Sequence, residues 1–268
     1  MGCRGSLVRI QSPRPVPPPE IPSPYDAATP FRPRAALRSL APVNVAALVP
    51  AYQAAAHLGE VLLGLQALPN PPHVLVVDDG SRDATAEVAR QFGAQVHSFA
   101  ANRGKGHALL AGFERLRDFD AVVTLDADGQ HPPACVPSFI AAAESGADLV
   151  LGQREITPAM PPARRFANRF SSAWCSAIAG QPIRDSQCGY RLYRRDVLWR
   201  TPVRASRYEV ETEMAVRAAR LGYRVAHVTI PTVYGDEESH LSPTRDVPRI
   251  VAMMVRLTFE PRPVPRRP

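Results

Sequence analysis

The sequence is almost without lysine: of 32 basic side chains, Lys105 alone is one and the rest are arginine. A lone ammonium in an arginine-rich chain either serves a site that needs a compact, strongly hydrated cation or is a survivor on a solvated surface. Cysteine is also scarce. The four residues Cys3, Cys135, Cys175 and Cys188 form no CxxC pair, which argues against a zinc ribbon or a disulfide framework and fits a reducing compartment. No apolar run reaches the length of a membrane-spanning helix. Six arginines against Glu20 and Asp26 place +4 of the net charge of +7 in the first 42 residues. The remainder is too weakly basic, and too poor in interleaved aromatics, for a nucleic-acid-binding face, so no nucleic-acid partner is expected.

Proline is abundant, and ten of the 29 lie within the first 42 residues. Such a stretch holds too few large apolar side chains to offset its ordering entropy and reads as disordered. Its first residues also resemble translated transfer-RNA gene sequence, so the genuine start is expected near Val43. The closing "EPRPVPRRP" has the same proline and arginine character. The organisation is therefore read as a Pro/Arg-rich segment 1–42, one folded domain 43–259 and a tail 260–268.

From Val43 onward, strand and helix signals alternate. "VNVAALV", "HVLVV", "AQVHSF", "DAVVTL" and "ADLVLG" read as strands. Helices are expected over His57 to Leu68, over "ATAEVARQF" with Ser81 or Asp83 as cap and Gly93 as stop, over "HALLAGFERLR", and near Val136 to Ser145. This order implies a mostly parallel sheet covered by helices on both faces, with ligands at the carboxyl ends of the strands. The polar clusters "VPAYQ", "VVDDGS", "NRGKG" and "LDADGQH" all fall there.

The most loaded of them is "TLDADGQHPP". Asp126 and Asp128 follow a hydrophobic strand, and a turn at Gly129 brings two alternating carboxylates together. A hard divalent cation such as Mg²⁺ or Mn²⁺ takes oxygen ligands and leaves positions for substrate phosphates. Asp126, Asp128 and the Gln130 carbonyl oxygen form part of such a shell. The competing reading makes both aspartates turn formers ahead of Pro132 and Pro133. A second acidic pair, Asp78 and Asp79, ends a neighbouring strand and favours the ligand site. "NRGKG" lacks the spacing of a nucleotide-binding P-loop.

Together, "VPAYQ", "VVDDGSRDAT", "NRGKGHALLAGF", "LDADGQHPP", "DSQCGYRLYRR" and "YGDEESHLSP" resemble, in order and rough spacing, glycosyltransferase family 2. The polyprenyl-phosphate branch, typified by dolichyl-phosphate mannose synthase, is the most similar. The resemblance covers about Asn44 to Leu257. It implies the GT-A nucleotide-diphosphosugar transferase fold, an α/β domain with a mixed, mostly parallel sheet. It also implies an inverting, metal-dependent hexosyltransferase that takes a nucleoside-diphosphate sugar and, in this branch, a polyprenyl phosphate acceptor.

By the same resemblance, Pro50 and Tyr52 match the segment against the donor base, and Val77 and Asp79 the positions at base and ribose. Lys105 lies near the donor. Asp126, Ala127 and Asp128 match the DxD element at the donor diphosphate, with Gln130 a further metal ligand. Arg154 matches a basic residue near the donor, and Asp185, Gln187 and Arg191 match the acceptor-side segment. Ser239 and His240 match a loop that closes over the diphosphate. Two departures stand out. Gln53 is followed by Ala54 where relatives carry a Glu, and His240 stands where relatives often carry a Lys.

An acceptor phosphate is already anionic near neutral pH and needs no strong base, whereas a saccharide hydroxyl does, with Asp185 or Glu211 as candidates. A family 2 enzyme acting on a saccharide hydroxyl and a non-catalytic sugar-nucleotide-binding protein are the alternatives. A lipid acceptor also requires contact with a bilayer, which implies a cytoplasmic protein peripheral to the inner face of the cytoplasmic membrane. "RRFANRFSSAWCSAIAG" spaces Phe166, Phe170, Trp174 and Ile178 four residues apart, with Arg164, Arg165 and Arg169 near its start. That stripe either lies on a bilayer surface or is buried in the core, and "RIVAMMVRLTF" poses the same choice.

Overall fold

The computed structural model describes residues 43–155, 162–205, 207–231 and 243–261. Among these residues, seven strands form one sheet: β1 (Val45–Ala51), β2 (His73–Asp78), β3 (Gln95–Ser98), β4 (Ala121–Thr124), β5 (Leu149–Arg154), β6 (Arg191–Arg194) and β7 (Val225–Ile230). Their order is β3-β2-β1-β4-β6-β5-β7. Six run parallel, and β6 lies antiparallel between β4 and β5. The reversal matters for the site. Because β6 starts where its neighbours end, the segment leading into it, Asp185 to Tyr190, is delivered to the carboxyl edge of the sheet.

Among the described residues, eight α-helices accompany the strands: α1 (Leu58–Gln66), α2 (Thr85–Gln91), α3 (Lys105–Arg115), α4 (Val136–Glu144), α5 (Pro162–Ala179), α6 (Arg195–Arg200), α7 (Glu209–Arg220) and α8 (Pro243–Phe259). The expected helices and strands up to β5 appear within a few residues of their expected bounds. The alternation of side chains along a strand sorts the core into two layers. Ala46 and Leu48 of β1 face Leu109 and Phe113 of α3, Met214 and Ala218 of α7, and Met253 and Leu257 of α8. Val45, Ala47 and Val49 face Leu58, Leu62 and Leu65 of α1 and Phe139 of α4. A strand covered on both faces must be apolar throughout, and all seven residues of β1 are buried.

No helix among the described residues is long and apolar enough to cross a membrane.

Candidate active site

Two loops at the carboxyl edge clasp each other. After β1, Gln53 adopts φ 52°, the only non-glycine residue in that region among the described residues. Its side-chain oxygen accepts the backbone N–H groups of Arg82 (3.2 Å) and Asp83 (3.1 Å), and its own N–H donates to Ser81 Oγ (2.9 Å). Thr85 Oγ1 and Asp83 Oδ2 accept the N–H groups of Ala54 and Ala55. Asp83 also accepts the N–H of Thr85 at 3.1 Å, but the cap of α2 is Ala84 rather than the expected Ser81 or Asp83, and Ser81 is used across the clasp. Gly80 sits at φ +71° with Ala101 against it; a Cβ there would lie 2.5 Å from the Ala101 carbonyl carbon, so the chain passes only as glycine.

Asp79 is 3% exposed and accepts the backbone N–H groups of Arg103 and Gly104, each at 2.7 Å. These two charge-assisted bonds pin the entrance of α3, whose first residue is Lys105. The Lys105 ammonium is thereby aimed into the site. It lies 2.6 Å from Asp126 Oδ1 and 3.0 Å from Glu211 Oε2 of α7. Burial alone would lower its pKa, but the two carboxylates outweigh burial and hold it above the ordinary lysine range. Reciprocally, burial works to raise the Asp126 pKa and Lys105 overcomes it, so Asp126 stays ionised.

Gly189 closes the floor of this cluster. A Cβ there would lie 2.5 Å from Asp126 Oδ2 and 2.7 Å from Lys105 Nζ. Thr124 at the end of β4 fixes that approach by donating its hydroxyl to the Gly189 carbonyl at 2.8 Å. Beyond Asp126 the chain turns at Gly129 (φ +72°), and Asp128 Oδ1 accepts the Gln130 N–H at 3.0 Å.

Glu211 Oε1 and His131 Nδ1 are buried near Asp126 with no hydrogen-bond partner among the described residues. Among the described residues, no three His, Cys, Asp or Glu side chains are grouped to enclose a metal ion by themselves. The donor set nonetheless fits a hard cation of the Mg²⁺ type, which binds through one or two carboxylates and fills its shell with water and substrate phosphate oxygens. Asp126, Asp128 and the Gln130 side-chain oxygen are the residues that would hold it.

Arg154 at the end of β5, expected near the donor, grips Asp185, expected on the acceptor side, in a fork, with Nε at 2.8 Å and Nη2 at 3.0 Å from its two oxygens. Burial tends to raise the Asp185 pKa. The bonds and charge of Arg154, with the backbone N–H groups of Arg154 and Gln187, overcome it and hold the carboxyl below the usual range. Gln187 is exposed next to it.

Several positions differ from the sequence expectation. Arg191, expected to touch the acceptor, is 1% exposed, and its guanidinium donates to the carbonyls of Cys188 (2.7 Å), Ser186 (2.8 Å) and Glu211. It braces the 186–191 segment from beneath. Val77, expected at the base, is fully buried in the core beside Leu48 and Leu75. Pro50 and Ala127 are also buried, which leaves Tyr52, 36% exposed, as the side chain of that set open to a ligand. Asp79 spends its carboxylate on the α3 entrance. The helical stripe divides: Ile178 is buried and Trp174 half-buried, while Phe166 and Phe170 are exposed. Ser239 and His240 lie outside the described residues.

Gly189, Arg207 and Tyr208 also border the site, and of these Gly189 and Arg207 were not singled out by sequence, whereas Tyr208 stood out with Glu209, Glu211 and Glu213 at the start of a helix. Arg207 Cγ approaches within 3.4 Å of a Cβ placed at Gly104. Tyr208 is half-buried within the fields of Lys105, Asp126 and Asp79, and burial raises its phenol pKa. The adjacency of Gly189 to "CGYR" and of Tyr208 to the acidic run was visible in the sequence, but their proximity to Lys105 depends on the reversed β6 and on α7 folding over α3.

Residues 46–201 match the family model described as glycosyl transferase family 2. The undecaprenyl-phosphate mannosyltransferase of Micrococcus luteus is 32% identical over 205 residues, 71% of this chain and 84% of that protein. The dolichyl-phosphate hexose transferase of Haloferax volcanii is 30% identical over 225 residues, 82% of this chain and 96% of that protein. The polyprenol monophosphomannose synthase of Mycolicibacterium smegmatis is 32% identical over 185 residues, 63% and 69% of the two chains. In fold, the chain superposes on glucosyl-3-phosphoglycerate synthase from Mycobacterium tuberculosis, crystallised with Mn²⁺ and UDP, with a TM-score of 0.68, 20% identity, and 82% and 81% of the two chains covered. The sheet with its single reversed strand, the loaded carboxyl edge and these matches agree: the chain belongs to glycosyltransferase family 2 and is a nucleotide-sugar glycosyltransferase with the GT-A fold.

Proposed function

We propose that residues 43–259 form a catalytic domain that transfers a sugar from a nucleoside-diphosphate sugar to a polyprenyl phosphate, with inversion at the anomeric carbon. The observation that carries the choice of acceptor is the state of the two candidate bases. Asp185 is forked to Arg154 and held below the ordinary carboxylate range, and Glu211 is paired with Lys105. A sugar hydroxyl needs a base whose pKa lies near the working pH, and a depressed carboxylate is a weak one. A phosphate monoester brings its own anionic oxygen, so the demand falls on cations and positioning instead. The relatives named for undecaprenyl-phosphate, dolichyl-phosphate and polyprenol substrates support the same reading.

In this reading the donor diphosphate lies against Asp126, Asp128 and Gln130. A Mg²⁺ or Mn²⁺ ion held by those three residues supplies Lewis-acid neutralisation of the diphosphate. Lys105 sits at the same edge, fixed by Asp126 and Glu211, and adds a positive charge that needs no rearrangement as the nucleoside diphosphate departs. Arg154 adds a further positive charge near the donor diphosphate, and Asp185 fixes its guanidinium in place. The acceptor oxygen forms its bond to the anomeric carbon on the face opposite the bond that breaks to the donor β-phosphate. The membrane-held acceptor places the protein at the inner face of the cytoplasmic membrane.

The test is a matrix of GDP- and UDP-sugars against undecaprenyl phosphate, undecaprenol and free saccharides, read as nucleoside diphosphate released. Release with the phosphorylated lipid alone, lost on chelation, is expected. Turnover with the alcohol or a saccharide, at rates matching or exceeding those with the phosphate, contradicts the assignment.

A further inference from the structure

Among the described residues, nine large apolar side chains are exposed, and six of them lie on α5 and α8: Phe166, Phe170, Val247, Val251, Val255 and Phe259. Phe166 and Phe259 are 73% and 82% exposed, well beyond what incidental surface exposure requires. The two helices are joined, with Trp174 Nε1 donating to Thr258 Oγ1 at 3.2 Å and Cys175 Sγ 3.6 Å from Met254 Sδ. On α8 the exposed positions recur every fourth residue, while Met253, Met254 and Leu257 fill the core. The helix is therefore apolar on its inner side and again on its outer side.

Among the described residues of these two helices, the exposed charges have one sign. The sequence of α5 holds no carboxylate. On α8 Asp246 is the sole carboxylate, and it is buried at 4% exposure. Arg169, Arg249 and Arg256 are exposed on the same two helices, although Arg256 also pairs with the buried Glu213 at 2.7 Å and Arg249 lies 4.0 Å from the buried Asp246, so the outward charge remains positive. An apolar stripe rimmed by arginine, on two helices that show no exposed carboxylate among their described residues, complements an anionic bilayer surface, where aromatic and aliphatic side chains sink to the acyl boundary and guanidinium groups meet the headgroups. The helix is also wired to the site: Ser171 Oγ lies 2.8 Å from Ser186 Oγ, and Ser172 Oγ accepts the Ser186 N–H at 3.1 Å, next to Asp185.

We infer that the paired outer faces of α5 and α8 are a membrane-docking surface for anionic lipid, which seats the bilayer beside the Asp185–Arg154 fork. The inference rests on the lipid-acceptor reading for its purpose but not for its measurement. The full chain is tested by flotation with phosphatidylcholine vesicles containing or lacking phosphatidylglycerol. Two variants accompany it, Phe166→Ser/Phe170→Ser and Val251→Ser/Phe259→Ser, whose melting temperatures report that they fold.

The wild type is expected to float with the anionic vesicles and to dissociate partly at high salt. Each double variant is expected to lose at least tenfold in the bound fraction, yet to release nucleoside diphosphate normally with a short-chain polyprenyl phosphate in solution. Variants that float like the wild type overturn the docking surface, as does a wild type that stays unbound. So does sedimentation showing a dimer that these substitutions dissociate. Flotation that depends on the face, with no transfer to any acceptor, supports the surface and overturns the lipid-acceptor reading instead.

Discussion

Lys105, the first residue of α3, meets Asp126, two residues beyond β4, at 2.6 Å. The same ammonium reaches Glu211 at 3.0 Å, so one cation holds two carboxylates from separate elements within a mostly buried space. Lys105→Met leaves those two charges uncompensated, and loss of one partner from a buried pair costs more than the pair contributes. A destabilisation of about 2–4 kcal/mol is expected in urea unfolding. Adding Asp126→Asn should recover part of it, a coupling that independent sites would not show.

Gly189→Ala tests the closeness of that packing. The added methyl meets the ends of Asp126 and Lys105, which can swing aside, rather than backbone, which cannot. Stability should therefore change little. A displacement of about 1 Å in the charged pair should lower kcat/KM on the order of 10²-fold. An unchanged rate would show that the pair lies away from the reacting groups.

Arg191→Lys is expected to be as damaging as Arg191→Met. The guanidinium satisfies the carbonyls of Cys188, Ser186 and Glu211 from nearly complete burial, and an ammonium lacks the planar fork to do so. Both should lose about 3–5 kcal/mol in unfolding free energy. Rescue by lysine would mean that charge alone is needed there.

His227 provides a pH signature away from the site. Burial and the nearby Arg184 charge depress its pKa to about 4, and its Nε2 accepts the Arg184 N–H at 3.2 Å, which requires the neutral ring. The unfolded chain binds the proton near pH 6.5 and the folded chain does not, so stability rises with pH in between. The contribution is complete above pH 6.5 and is lost as pH falls towards 4, on the order of 2 kcal/mol. Unfolding free energies of His227→Gln should show a shallower slope in that window than the wild type.

The helices and parallel strands up to β5 were legible because each carries a local signal: a buried apolar run, a glycine stop, a polar cluster at the strand end. Asp126, Asp128 and Lys105 were legible by their type and neighbours. The reversal of β6 was not, since "RLYR" reads the same in either direction along a sheet. Two consequences of that reversal were hidden with it. Arg191 turned inward to hold carbonyls, and Gly189 arrived beneath Asp126. The contact of Lys105 with Glu211 joins residues far apart in the chain and rests on α7 packing over α3, which no local pattern encodes. The α5 stripe was visible as a period but not as two faces, because Ile178 and Phe166 are both apolar and only the partner helices decide which one is covered.

The most direct measurement is calorimetric titration of GDP and UDP, each with Mn²⁺, into the wild type and Asp128→Ala, with circular dichroism confirming an intact fold. The edge that carries Asp126, Asp128 and Lys105 is assigned to the donor diphosphate. One nucleotide should therefore bind the wild type in a metal-dependent manner, and Asp128→Ala should lose at least tenfold in affinity while remaining folded. Equal affinity in the two proteins, or binding indifferent to the metal, would contradict that assignment.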